Sequence, residues 1–173
     1  MLSRIEITGF KRFLSAEFKL APLTVLTGLN GSGKTSLVQA LLLAQEASTN
    51  STHALPLNGP FGINLGTAED VLNWNSAGPI GIEISFGDDA LAKWTLEVPY
   101  EEAMYLNVMS APTTLPAAFS GGARAFSFLS AERFGPKIIA NTSPQPQGTM
   151  EVGQHGEFCA HVLSVLGDDI IHE

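Results

Sequence analysis

Residues 27–36, TGLNGSGKTS, carry the most specific chemical pattern in the chain. Gly28 is followed by four residues and then by Gly33, Lys34 and Thr35, which is the G-x-x-x-x-G-K-[ST] spacing. Backbone N–H groups of such a glycine-rich turn can surround an anion, and a helix that begins there adds the positive end of its dipole. The pattern therefore predicts that phosphate groups bind at this loop.

Two side chains of the loop have predicted roles toward ATP and Mg²⁺. Lys34 neutralises the β- and γ-phosphates, and the Thr35 hydroxyl is the predicted metal ligand, with Ser36 beside it. The alternative is a chance match in a glycine-rich turn, which a preceding strand and a following helix argue against. The predicted nucleotide-binding residues of the loop are Gly28, Asn30, Gly31, Ser32, Gly33, Lys34, Thr35 and Ser36.

The segments around the loop supply this context. The apolar run at 23–26 predicts a fully buried strand that ends at Gly28. From Lys34 onward, good helix formers that are apolar on most sides predict a helix buried against a sheet. Alternating residues at 4–8, and a second extended stretch at 14–20, predict two earlier strands.

The rest of the chain reads as strands and loops, with little helix. A hairpin is predicted from 80–86 and 92–98, because isoleucines and other apolar residues alternate there with small or polar ones. Further predicted elements are a helical turn at 68–74, strands at 103–109 and 125–130, and a helix at 156–166. We expect one incomplete domain over 1–173, with a phosphate-loop core at 1–49, a β-rich lobe at 50–140 and the start of a helical region at 141–173.

Composition limits the classes of function. The chain has 173 residues, enough for one domain, and a net charge of −8, which disfavours direct binding of nucleic acid. One cysteine, Cys159, excludes an internal disulfide, and we expect it in the core. No long apolar run or signal peptide is visible, so a cytoplasmic protein without membrane contact is expected. Five of the nine basic residues precede or belong to the loop: Arg4, Lys11, Arg12, Lys19 and Lys34.

Two stretches carry a resemblance to a known family: ITGFKRF at 7–13 and LTVLTGLNGSGKTSLVQAL at 23–41. With them the chain resembles the amino-terminal start of ABC-type ATPase heads in the SMC, RecF and OLD-nuclease group of prokaryotic AAA-type ATPases. Stretches at 55–72 and 128–137 are similar to parts of these proteins as well. The resemblance implies an α/β P-loop NTPase fold, here its N-terminal lobe with an antiparallel β subdomain. It also implies that Lys11 and Arg12 lie near the base and phosphates, and that Glu132, Arg133 or Gln154 fills the Q-loop role.

Two parts of the hydrolytic machinery of that group are not recognisable. Hydrolysis needs an aspartate after an apolar run, which holds Mg²⁺, and then a glutamate that positions water. VLSVLGDDI at 162–170 lacks this order and reads better as a helix end, and FSGGAR at 119–124 imitates a signature loop but is better explained as a glycine turn. The catalytic residues therefore remain unknown.

Three functions follow as hypotheses. The first is ATP binding within an ATPase head whose ATP-driven dimerisation acts as a switch in nucleic-acid processing or phage defence. The partner would be a second copy, a C-terminal ATPase half or another subunit, and nucleic acid would bind only to the full assembly. The second hypothesis is an ATP-sensing or assembly module that does not hydrolyse ATP. The third, a small kinase, is disfavoured because only Arg124 and Arg133 could supply lid arginines after Lys34.

Overall fold

The computed structural model describes residues 1–50, 52–59, 61, 63–87, 90–115, 119–120, 125–132 and 139–168. The chain forms two compact units, 1–120 and 121–173. The first unit contains β1 (Leu2–Phe10), β2 (Phe13–Lys19), α1 (Lys34–Thr49), β3 (Ala54–Pro56), α2 (Ala68–Val71), β4 (Ile80–Phe86), β5 (Ala90–Glu97) and β6 (Tyr105–Ser110). The second contains a 3₁₀ turn at Gln147–Thr149 and α3 (Cys159–Leu166).

The six strands form a single antiparallel sheet in the order β2-β1-β4-β5-β6-β3. Apolar residues alternate along the central strands, so their side chains fall on one face. Ile7 lies opposite Ile82, and Ile82 lies opposite Trp94, in a row that is fully buried. Strands β1, β2, β4, β5 and β6 confirm the predicted strands at 4–8, 14–20, 80–86, 92–98 and 103–109.

Helix α1 is buried along much of its length and is joined to the sheet by a polar contact. The Trp94 indole Nε1–H of β5 donates to the Ser48 hydroxyl of α1 at 3.2 Å. Leu42 and Leu43 are almost completely buried. The helix predicted after Lys34 is therefore confirmed, and it places the phosphate loop at the edge of a packed core.

The predicted buried strand at 23–26 is wrong in the structure. Leu23 is 82% exposed and Val25 is 73% exposed, and the segment joins no strand ladder. Its polar contacts are local, since the Ala21 N–H donates to the Thr24 hydroxyl at 3.0 Å. A fully buried strand needs neighbours on both sides, and no described strand lies beside this segment. Of the implied α/β fold with an antiparallel β subdomain, the described residues form a six-stranded antiparallel sheet with few helices.

The second unit has helix but no strand among its described residues. The predicted helix at 156–166 is confirmed as α3, whereas 125–130 forms no strand. The Ser130 N–H instead donates to the Gln154 carbonyl at 2.8 Å. Cys159 is exposed rather than in the core. Across the described parts of the chain, none of the helices has the length and apolar character needed to span a membrane.

Candidate functional site

The loop between residues 28 and 33 is shaped by three glycines with positive φ. These angles are 145° at Gly28, 76° at Gly31 and 99° at Gly33, in a region that L-residues rarely adopt. The Ser32 N–H donates to the Leu29 carbonyl at 3.1 Å and closes a turn. The glycine spacing in the sequence therefore has a direct conformational cause.

Gly33 is also required by close packing. A Cβ atom at this position would lie 2.5 Å from Phe13 Cζ and 2.8 Å from Arg12 Cδ. Real Cβ atoms essentially never make contacts this short. The turn between β1 and β2 therefore packs directly on the loop, and this packing brings Arg12 beside Gly33.

Helix α1 begins after Gly33 without any side-chain cap, and its first turn contains no acidic residue. The first intrahelical bond is donated by the Leu37 N–H to the Gly33 carbonyl at 2.9 Å. The N–H groups of Lys34, Thr35 and Ser36 precede that bond and have no acceptor within the helix. Such a helix start is a ready-made anion site.

The Lys34 ammonium lies over the loop that precedes it. Its Nζ donates to the carbonyls of Gly28 at 2.7 Å and Leu29 at 2.8 Å, with the Ser32 hydroxyl at 3.4 Å. These acceptors are neutral, whereas a phosphate oxygen is negatively charged and adds a direct attraction between opposite charges. A phosphate oxygen at the start of α1 would therefore attract the Lys34 ammonium more strongly than the Gly28 and Leu29 carbonyls do.

A cavity of about 450 Å³ joins the loop to the β1–β2 turn. It is lined by Lys11, Arg12, Asn30, Gly31, Ser32, Gly33, Lys34, Thr35 and Ser36. Three cationic side chains thus surround a cavity whose described lining contains no carboxylate. Gly28 lies beside this cavity, because its carbonyl accepts a hydrogen bond from Lys34 Nζ.

The β1–β2 turn is held in place by a distant segment that the sequence did not indicate. Lys11 has φ 47°, and its N–H donates to the Val71 carbonyl at 2.7 Å. The amide of Asn73, which is buried, donates to the Lys11 carbonyl at 2.6 Å. An asparagine after a helical turn is common, so only its partner, 62 positions away, reveals this role.

Burial and hydrogen bonding shift the pKa values of two side chains beside the turn, Lys11 and Asp70. Burial lowers the pKa of Lys11, and the nearby Asp70 carboxylate partly opposes this. The pKa of Asp70 is lowered mainly by the Thr67 backbone N–H and then by the Thr67 hydroxyl, which donate to its carboxylate at 2.8 and 3.0 Å. Asp70 is therefore a fixed negative charge next to Lys11 at neutral pH.

A Mg²⁺ ion that arrives with a nucleotide would need few protein ligands in this cavity. Among the described residues, no group of three His, Cys, Asp or Glu side chains could hold a metal ion. Mg²⁺ in nucleotide sites takes most of its oxygen ligands from phosphates and water. Thr35, at the start of α1, is the hydroxyl that would complete such a set, and the ion would neutralise phosphate charge.

The remaining predicted positions fall in the second unit or outside the described residues. Glu132 and Gln154 lie in the second unit, where the Glu132 carbonyl contacts His155 Nδ1 at 2.6 Å. Three predicted positions or stretches lie outside the described residues: Arg133, Asp169, and residues 121–124 of the signature-like stretch, which include Arg124. The stretch at 162–170 begins within α3, as predicted from its helix-end character. The Q-loop role of Glu132, Arg133 or Gln154 stays a prediction.

Comparison with known proteins gives a family match. A family model described as an AAA ATPase domain matches residues 1–134, which include the loop, the β1–β2 turn and the whole sheet. A search of curated proteins found no match.

Proposed function

Since the chain belongs to the AAA ATPase domain family, which implies nucleotide binding, we propose that it binds ATP with Mg²⁺ in the cavity between the loop and the β1–β2 turn. More specifically, we propose an ATPase head of the SMC, RecF and OLD-like type. The observation that carries the proposal is the uncapped start of α1, with the Lys34 ammonium held beside it.

Each group has a definite task in this proposal. The N–H groups at the start of α1 bind phosphate oxygens, and Lys34 exchanges its carbonyl partners for the β- and γ-phosphates. Arg12 and Lys11 supply further positive charge from the turn. Thr35 holds Mg²⁺ through its hydroxyl. Together these contacts replace the water around a triphosphate.

Hydrolysis is assigned to a larger assembly. Turnover needs a carboxylate that positions the attacking water. No carboxylate is part of the described lining of the cavity between the loop and the β1–β2 turn, which we call the phosphate cavity. We propose that a second copy, a C-terminal ATPase half or a partner subunit supplies it, in a cytoplasmic switch for nucleic-acid processing or phage defence. The same observation favours the second candidate, a module that senses ATP without hydrolysing it.

The apolar segment at 23–26 supports a partner. Leu23 and Val25 are largely exposed although their residue types favour burial. We propose that strands of the remaining ATPase head cover them. Replacing both with serine should weaken association with a co-expressed C-terminal half in a pull-down and leave nucleotide binding intact, and unchanged association would refute this proposal.

Calorimetry with Mg²⁺·ATP tests the central proposal. Lys34→Ala should abolish measurable binding, whereas Lys19→Ala, which removes the same charge at the end of β2 and away from the cavity lining, should change affinity little. Phosphate release is followed in the same samples. Equal affinity of Lys34→Ala and the original chain would overturn the binding site. Release by the chain alone would remove the need for a partner and exclude the sensor.

A further inference from the structure

A second cavity, of about 850 Å³, adjoins the phosphate cavity. Lys11 and Arg12 line both cavities, so the turn that carries them is the junction between the two. The second cavity has a different chemistry. Its other lining residues are apolar or acidic: Leu72, Trp74, Val98, Glu69, Asp70 and Glu101.

Trp74 is the most unusual member of this lining. Its side chain is 92% exposed, whereas Trp94, the other tryptophan of the chain, is fully buried. The backbone beneath it is nevertheless fixed, since the Asn73 N–H donates to the Gly9 carbonyl at 2.9 Å and the Asn75 N–H donates to the Asn73 side chain at 3.0 Å. An exposed indole on a backbone held by neighbouring hydrogen bonds offers a stacking surface for a planar ring.

The acidic residues give the second cavity a polarity opposite to that of the first. The Glu69 N–H donates to the Glu101 carbonyl at 3.1 Å, which keeps these two residues adjacent. Ionised carboxylates accept hydrogen bonds and donate none. They therefore suit hydroxyl and amino groups and repel phosphate. A ligand that spans both cavities would place phosphate at Lys34 and its hydroxyl- and amino-bearing end near Glu69 and Glu101.

We propose that the second cavity is the nucleoside subsite, in which Trp74 stacks on a purine base and Glu69 and Glu101 accept hydrogen bonds from its ribose hydroxyls or amino group. Lys11 and Arg12 then lie beside the phosphate nearest the sugar. This inference rests on the proposed function, because it takes the phosphate cavity as the site of the triphosphate. It adds a residue, Trp74, that belongs to neither the loop nor the β1–β2 turn.

Comparing Mg²⁺·ATP with Mg²⁺·tripolyphosphate separates the two subsites, because tripolyphosphate has no base or sugar. Trp74→Ala should weaken ATP about 10-fold and leave tripolyphosphate unchanged, as expected for the loss of one stacked base. Trp74→Phe should recover part of the loss. Met104→Ala, a matched exposed position outside this lining, should alter neither ligand.

Tryptophan fluorescence provides a second readout on the same variants. ATP should protect Trp74 from acrylamide quenching and tripolyphosphate should not, while the buried Trp94 contributes a constant background. Equal affinities for ATP and tripolyphosphate, with Trp74→Ala changing neither, would overturn the nucleoside subsite and leave the phosphate site standing. If neither ligand bound and Lys34→Ala changed nothing, the subsite and the proposed function would both be refuted.

Discussion

The β1–β2 turn packs on Gly33 before α1 and donates a hydrogen bond to Val71 of α2, yet the starts of these two helices are completed in opposite ways. At α2, the Asp70 carboxylate accepts hydrogen bonds from the Thr67 N–H and hydroxyl, and Glu69 adds a second negative charge. At α1, Gly33 provides no cap and the first turn has no acid. The chain itself supplies negative charge at the start of α2, whereas the first turn of α1 has no acidic residue and could accept an external anion.

The largest expected effect comes from making α1 resemble α2. Ser36→Asp places a carboxylate in the first turn of α1, where it repels phosphate while favouring the helix dipole. We expect Mg²⁺·ATP to bind at least about 100-fold more weakly by calorimetry, while unfolding free energy rises by about 0.3–1 kcal/mol in urea. Ser36→Asn is the neutral control. Retained affinity in Ser36→Asp would contradict the assigned anion site.

The next test concerns the glycine that precedes α1. Gly33→Ala combines an unfavourable φ with contacts to Phe13 and Arg12, so a loss of about 2–3 kcal/mol in unfolding free energy is expected, together with weaker nucleotide binding. Gly31→Ala is the matched control, because its φ is also positive but nothing lies within 4 Å of the added Cβ. It should cost about 1 kcal/mol. Equal losses would show that packing of the β1–β2 turn on the loop is unimportant.

Asn73 links the segment after α2 to the turn that serves α1. Asn73→Ala leaves the Lys11 carbonyl without its 2.6 Å donor, which should cost about 1–2 kcal/mol of unfolding free energy in urea. Because Lys11 and Arg12 lose support, ATP affinity should fall as well. Asn75→Ala, in the neighbouring turn, is the control for a general effect of asparagine removal. Unchanged ATP affinity in Asn73→Ala would show that the support of the β1–β2 turn by Asn73 is not needed for ATP binding.

These contrasts explain what the sequence could predict. The alternation of Ile5 and Ile7 predicts a half-buried strand, and β1 finds partners in β2 and β4. The run at 23–26 has equally apolar residues, but its neighbours cannot be read from its own composition, and the structure leaves it exposed. Local patterns specify local conformation, whereas burial depends on partners elsewhere.

The same distinction applies to the site. The loop residues could be predicted because the positive φ angles at Gly28, Gly31 and Gly33 impose a glycine spacing. The contributions of Asn73 and Trp74 could not, since they depend on a contact across the fold and on an exposed ring beside a cavity. Residues that act through long-range placement leave little trace in a single sequence.

The smallest effect is expected at the capped helix. The pKa of Asp70 is lowered in the folded state by the Thr67 groups, so the carboxylate contributes stability above its unfolded pKa of about 3.8, and this stability is lost as pH falls through the lower folded value. Asp70→Asn should therefore be slightly less stable than the original chain at pH 7 and equal to it at strongly acid pH. Urea unfolding across pH measures this difference. Glu69→Gln, an acid of the same turn, is the control. A gap between Asp70→Asn and the original chain that persists at low pH would mean that Asp70 acts through shape rather than charge, and the contrast between the two helix starts would then lose its electrostatic basis.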